Sequence, residues 1–285
     1  MIFFVAFYDL GVMALAYTYV VGEFFHFALA LYFFRGYPID SPSLEYFRYY
    51  TKFAVPLSIA VVSSIIMTNI DKVFIQLFWN AIQVGEYFAV FNLSRFITLF
   101  SSAVSMLLLP TVSEHYTRND MIGIKRLTID SERYLSIIVF PMVIMLMVLA
   151  QPVIRILLSD KYMPALSVLQ ILPVFVLLDV LSGPYTQKFS GMDMPHITRN
   201  RVLIMMSINV ILNLILIPRD IKSLGLKLFG LGTTGAAIAT IAAYAAGLVY
   251  IRIAAWKITR VKGSWRIIIH AFAAILMGFD FTLYE

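Results

Sequence analysis

The chain has 285 residues, of which 61% are hydrophobic and 13% charged, with a formal net charge of +6 and a mean hydropathy of +0.86. A soluble domain is about half apolar and about a quarter charged, so this composition excludes one and defines an all-α, polytopic helical membrane protein. With no cysteine there is no disulfide framework, thiolate metal site or cysteine nucleophile. The basic residues sit at the ends of apolar runs, where they read as topology signals and not as a nucleic-acid surface.

Apolar runs of about 20 residues recur, and short alternating segments are absent, which favours spanning helices over a barrel. The first span is Leu10 to Phe34, closed by Arg35, Gly36 and Pro38; its Glu23 and His26 lie one turn apart and read as a structural pair. Leu44 to Lys52 mixes aromatics with Arg48 and Lys52, as an interfacial helix does. The second span, Phe53 to Trp79, has Pro56 in its first turn, where a missing N–H costs least. Ser64, Thr68 and Asp71 share one of its faces, and Asn69, Lys72 and Gln76 the adjoining one. The third span, Tyr87 to Pro110, carries Asn92, Arg95, Thr98 and Ser102 on one stripe, after which Ser113 to Arg133 leaves the membrane.

Span four runs from Tyr134 to Leu158. Span five, Met163 to Thr186, carries Gln170 and Asp179. Lys188 to Arg201 is expected to be a basic loop, and the sixth span, Val202 to Ile217, has Asn209 and Asn213 one turn apart. The seventh, Leu231 to Trp256, opens with Gly232, Gly235, Ala236, Ala237 and Ala239, small residues that permit close helix contact. Ile267 to Leu283 makes an eighth.

The second and third spans hold the charges that composition does not explain. A charge at mid-bilayer costs roughly 2.5 to 3.5 kcal/mol, so Asp71, Lys72 and Arg95 must pair or face a polar interior. Asp71 and Lys72 are about 100° apart on a helix and look to different neighbours. With the break between the spans centred on Ile82 and Gln83, Asp71 and Arg95 lie at one depth, about 17 Å from the turn, which predicts an ion pair and leaves Lys72 free. If the two are apart, Arg95 joins Lys72 as a cavity cation. Asp71, Arg95 and Asn213 are expected to line an open groove.

Alternate connections carry fifteen and five of the 22 Lys and Arg residues, which places the first connection, Ser113 to Arg133, Lys188 to Arg201 and Lys257 to Arg266 in the cytoplasm. Leu10-Gly11-x-x-Ala14-x-Ala16 and Leu231-Gly232-x-x-Gly235-x-Ala237 share a pattern at a period of about 220 residues, as a parallel repeat would. On that reading residues 1–34 end an earlier lobe of which roughly 190 to 210 residues are missing. Residues 35–52 are then an interlobe linker, 53–257 a six-helix lobe and 258–285 a loop with the start of another helix. Gly230-x-Gly232-x-x-Gly235 lacks the preceding strand of a dinucleotide site and reads as helix packing. The histidines are scattered, so neither a metal site nor a catalytic constellation is expected.

Five stretches, in order, resemble the polysaccharide biosynthesis proteins, oligosaccharide-lipid flippases of the multidrug/oligosaccharidyl-lipid/polysaccharide exporter superfamily. They are Asn69-Ile-Asp71-Lys72; Val84-Gly85-Glu-Tyr87; Leu109-Pro110-Thr-Val-Ser113-Glu114; Ser159-Asp-Lys-Tyr162-Met-Pro-Ala165 with Val168 to Leu172; and Asn209 to Pro218 followed by Gly235-Ala-Ala-Ile-Ala-Thr240. The resemblance implies two six-helix lobes around a cavity, a multi-pass protein of the cell membrane, no cofactor and no covalent chemistry. It implies translocation of a polyprenyl-phosphate-linked oligosaccharide, with membrane lipids and an absent N-terminal lobe as partners. Lys72 and Arg95 suit the phosphate, and Asn69, Gln76, Asn92, Asn209 and Asn213 suit sugar hydroxyls. The alternatives are an inactive fragment or a cation-coupled multidrug exporter, whose carboxylates would be Asp71 and Asp179.

Overall fold

The computed structural model describes residues 13–37, 43–221, 226–261, 263–264 and 266–283. Leu10 and Gly11 of the suggested repeat, linker residues 38–42, and Lys222 and Lys262 of the charge count lie outside them. The chain divides into two units, Met1–Thr51 and Lys52–Glu285.

The first unit holds α1 (Met13–Phe34). None of Tyr17–Phe34 is buried within the protein, as expected of a helix whose solvent is lipid. Glu23 and His26 approach to 3.8 Å and both remain exposed.

The helix α2 (Leu44–Phe78) is continuous, without a separate interfacial segment, and the second unit begins inside it at Lys52. It is followed by α3 (Ala81–Arg95), α4 (Thr98–Thr117), α5 (Met121–Val148) and α6 (Ala150–Leu157). A 3-10 turn over Asp160–Ala165 leads into α7 (Leu166–Ile171), α8 (Pro173–Gly191) and α9 (Pro195–Leu216). A two-stranded hairpin, β1 (Asp220–Ile221) with β2 (Leu226–Lys227), precedes α10 (Gly232–Thr259) and α11 (Ile267–Leu283). Five of the described helices are long and apolar enough to cross a membrane, or seven if each bent pair is one span: α3 with α4 (48°), and the 3-10 turn and α7 with α8 (43°). The shorter apolar helix α11 completes the eight apolar segments seen in the sequence.

The bend between α3 and α4 has a local chemical cause. The hydroxyls of Thr98, Ser101 and Ser102 donate to the carbonyls of Arg95, Thr98 and Leu99, three residues back. The backbone N–H groups of Ile97, Leu99 and Phe100 also bond three residues back, so the helix tightens and turns as side chains compete for its carbonyls.

Packing in the second unit is closest between α9 and α10. Gly235, Ala239, Ala243 and Gly247 recur every fourth residue along one buried face of α10. A Cβ on Gly235 would lie 2.8 Å from the Leu216 carbonyl oxygen, and one on Gly247 would strike Met205, so the missing side chains set the approach. Of the glycines in the dinucleotide-like motif, Gly235 packs helices, whereas Gly230, at φ +63°, lies in the turn after β2 against Arg219. Gly232, at φ +56°, sits against the Trp79 ring, whose Nε1 donates to the Ile217 carbonyl at 2.9 Å. The main core gathers Ile75, Tyr87, Phe91, Leu135, Leu169 and Phe175, with the rings of Phe91 and Phe175 stacked at 5.1 Å.

The expected basic loop Lys188 to Arg201 is largely helical. Lys188 and Arg201 are buried inside α8 and α9, leaving three residues, 192–194, between the helices. Arg252 lies within α10 and pairs with the fully buried Glu132 of α5, which also accepts from the Tyr185 hydroxyl at 2.8 Å and the Ser264 N–H at 3.2 Å. Basic residues mark span ends in sequence, but these helices continue past the apolar run and carry the charges inside their turns.

Candidate functional site

The break between α2 and α3 fixes the site. It falls at Trp79 and Asn80, where the Asn80 side chain caps α3 by accepting from the Gln83 N–H at 2.9 Å. This is about three residues before the expected centre. At about 1.5 Å per residue, Asp71 lies about 13 Å along α2 from the break, Tyr87 about 11 Å along α3 and Arg95 about 23 Å. Tyr87, not Arg95, is therefore level with Asp71.

The contacts follow from that register. Asp71 is buried, 1% exposed, and forms no ion pair among the described residues. Its Oδ2 accepts from the Tyr87 hydroxyl at 2.8 Å and the Thr240 hydroxyl at 2.7 Å, and its Oδ1 from the Asn213 amide at 2.5 Å. Asn213 also donates to Asn209 at 3.1 Å, and Asn209 reaches Thr240 at 3.4 Å. Three hydrogen bonds to a charged acceptor, about 1.5 to 3 kcal/mol each, replace the expected Arg95 partner. Asp71 and Asn213 are sealed among α2, α3, α9 and α10, so the groove expected to expose them with Arg95 is not formed; only Arg95 is exposed.

One turn of side-chain direction separates Lys72 from this cluster. Its ammonium donates to Asn69 at 3.0 Å and lies 4.7 Å from the Phe88 ring centroid and 5.4 Å from that of Phe91. The Arg95 guanidinium lies 5.8 Å from the same Phe91 ring. The two cations thus converge on one aromatic side chain, and among the described residues neither has a carboxylate within salt-bridge distance. Asn69, Gln76 and Asn92 are exposed on the same two helices. Asp179 belongs to neither group: Arg201 donates to it at 3.1 Å, with the arginine nearly buried and the aspartate partly open.

Chemically the two groups differ. Lys72, half-buried, and Arg95, exposed, present two cationic groups of the chemistry an anion would require. The Asp71 cluster offers a carboxylate, two amides and two hydroxyls, oxygen donors suited to a proton or a hard alkali cation. The Asn213 amide oxygen is buried and has no hydrogen-bond partner among the described residues, a spare acceptor beside the carboxylate. Among the described residues no cluster of three His, Cys, Asp or Glu side chains is placed to hold a metal. Patterning pointed to Asp71, Asn209 and Asn213 but passed over Tyr87 and Thr240, because a tyrosine in a span reads as an interfacial anchor and a threonine bonds its own helix.

The fold and these intramembrane charges define a multi-pass membrane protein with a polar interior. The chain belongs to the polysaccharide biosynthesis protein family, whose profile matches residues 1–167. Among solved structures its fold is similar to that of the lipid II flippase MurJ in an inward closed conformation, at 16% sequence identity and a TM-score of 0.76. The match covers 99% of this chain and 58% of that one, so the chain spans rather more than half the length of that relative. No curated protein matches the sequence.

Proposed function

We propose that the chain forms a six-helix lobe, residues 53–257, of a flippase that moves a polyprenyl-phosphate-linked oligosaccharide from the inner to the outer face of the plasma membrane. The observation that carries this reading is the convergence of Lys72 and Arg95 on Phe91 without a carboxylate partner. Two uncompensated cations inside a span are costly unless an anion visits them, and a lipid phosphate is the anion a bilayer supplies. The family and the lipid II flippase with a similar fold support a lipid-linked substrate.

In this mechanism the protein makes and breaks no covalent bond. Lys72 and Arg95 hold the phosphate, exposed amides at Asn69, Gln76 and Asn92 meet the headgroup, and a complementary lobe closes the cavity. Asp71 with Asn209, Asn213, Tyr87 and Thr240 binds the proton or alkali cation that neutralises the buried carboxylate, biasing the lobe between states. A drug exporter is less well supported, because Asp179, one of the two carboxylates it was expected to use, is engaged by Arg201. The test is reconstitution in vesicles with a labelled polyprenyl-pyrophosphate-linked sugar and, separately, a cationic dye. Movement of the lipid-linked sugar, lost in Lys72→Ala with Arg95→Ala, is expected. Dye efflux with no movement of the sugar would overturn the proposal.

A further inference from the structure

Past the bend, α4 and α8 line an open, shallow groove of about 540 Å³ whose polar lining is Thr98, Ser101, Ser102, Ser105 and Gln187. Met106 and Leu109 complete the wall, and no charged side chain lines it. The groove begins one helical turn from Arg95, whose carbonyl accepts the Thr98 hydroxyl at 2.7 Å.

We infer that this groove is the subsite for the sugar of the lipid-linked substrate, with Arg95 on its phosphate; the inference rests on the flippase reading above. Thr98, Ser101 and Ser102 spend their one hydroxyl proton on their own helix and keep oxygen lone pairs for an incoming donor. Ser105 and Gln187 form no hydrogen bond among the described residues, so they offer donors as well. A polyol, being donor and acceptor at each hydroxyl, satisfies both kinds of group. Hydrocarbon offers no partner to the Gln187 amide or the Ser105 hydroxyl, so these two groups do not suit a lipid-facing wall. The absence of lining charge selects a neutral hydroxylated ligand over a second phosphate. Met106 and Leu109 supply the apolar surface on which the C–H face of a pyranose rests.

The test uses two probes on the detergent-purified chain: a polyprenyl pyrophosphate carrying an N-acetylhexosamine disaccharide, and the same pyrophosphate without sugar. Equilibrium binding of each is measured for the wild type, for a combined Ser101→Ala, Ser102→Ala and Ser105→Ala variant, and for Gln187→Leu. Serine to alanine in a helix favours the helix, and thermal melting checks that both variants fold. The wild type is expected to bind the sugar-bearing probe about tenfold more tightly than the bare one. Both variants should lose that preference and retain the affinity for the bare probe. Equal wild-type affinity for both probes would overturn the subsite and leave the flippase reading standing. A variant that weakens both probes equally, or neither, would overturn it too. Failure of the wild type to bind either probe would overturn the subsite and the flippase reading together.

Discussion

Asp71 and Lys72 are adjacent in the chain and opposite in circumstance. Asp71 is sealed among four helices and receives three hydrogen bonds, whereas Lys72 faces outward over two phenylalanine rings beside a second cation. A rotation of about 100° per residue turns one side chain into a sealed hydrogen-bonded cluster and the next onto the aromatic rings. The lesson is that intramembrane charges in one short stretch need not neutralise each other; helix phase assigns them to separate tasks.

The sharpest way to break that division is to exchange Asp71 and Arg95. If they were paired the exchange would restore folding lost in either single variant. The structure instead puts an arginine into a site built for a carboxylate, so Asp71→Arg with Arg95→Asp is expected to be less stable than either charge removal alone, with little protein recovered from membranes. Recovery at the wild-type level would show that the two residues interact. Next in size is Asp71→Ala, which strands the Tyr87, Thr240 and Asn213 donors; a loss of about 1 to 3 kcal/mol for each buried donor left unsatisfied is expected, read as thermal melting in detergent. Asp71→Asn keeps the shape and should lose less.

On the outward face the signs reverse. Lys72→Ala and Arg95→Ala should each leave stability within about 0.5 kcal/mol, as for surface positions, while removing transport of a lipid-linked sugar. A melting shift as large as that of Asp71→Ala would erase the contrast. The smallest effect is expected at Asp120, which belongs to neither face and caps α5 in the turn after α4. Its carboxyl is held below the usual aspartate range first by the Gly123 N–H and then by His115, 2.9 Å away. The cap's stabilisation is therefore fully present above the ordinary aspartate pKa and fades as pH falls through the lowered one. The small difference in Tm between wild type and Asp120→Ala should shrink on acidification and be unchanged above neutrality.

Much of this architecture was legible in the sequence, and the errors share one origin. The order of apolar helices, the small-residue face of α10 and the one-turn spacing of Asn209 and Asn213 all follow from periodicity, which is local. The partner of Asp71 depends on where the break falls. Moving its centre from Ile82 and Gln83 to Trp79 and Asn80 shifts the two arms in opposite directions and replaces Arg95 with Tyr87. Lys188 and Arg201 were read as loop residues because hydropathy marks where apolar sequence stops, not where hydrogen-bonded helix stops. Their burial depends on Thr259 and Asp179, partners 71 and 22 residues away in sequence.

The glycine and alanine face of α10 also has a mechanical consequence. Where side chains are absent there is little to repack, and a helix seated against the backbone of its neighbour has no slack for sliding. On the proposed mechanism the pair α9 and α10 would act as one stiff beam carrying Asn209, Asn213 and Thr240 in fixed register. The other arms of the cluster, Asp71 on α2 and Tyr87 on α3, belong to helices that approach it through side chains. Strain from neutralising the carboxylate would then leave by the more compliant route, through α2 and α3 to the bend between α3 and α4.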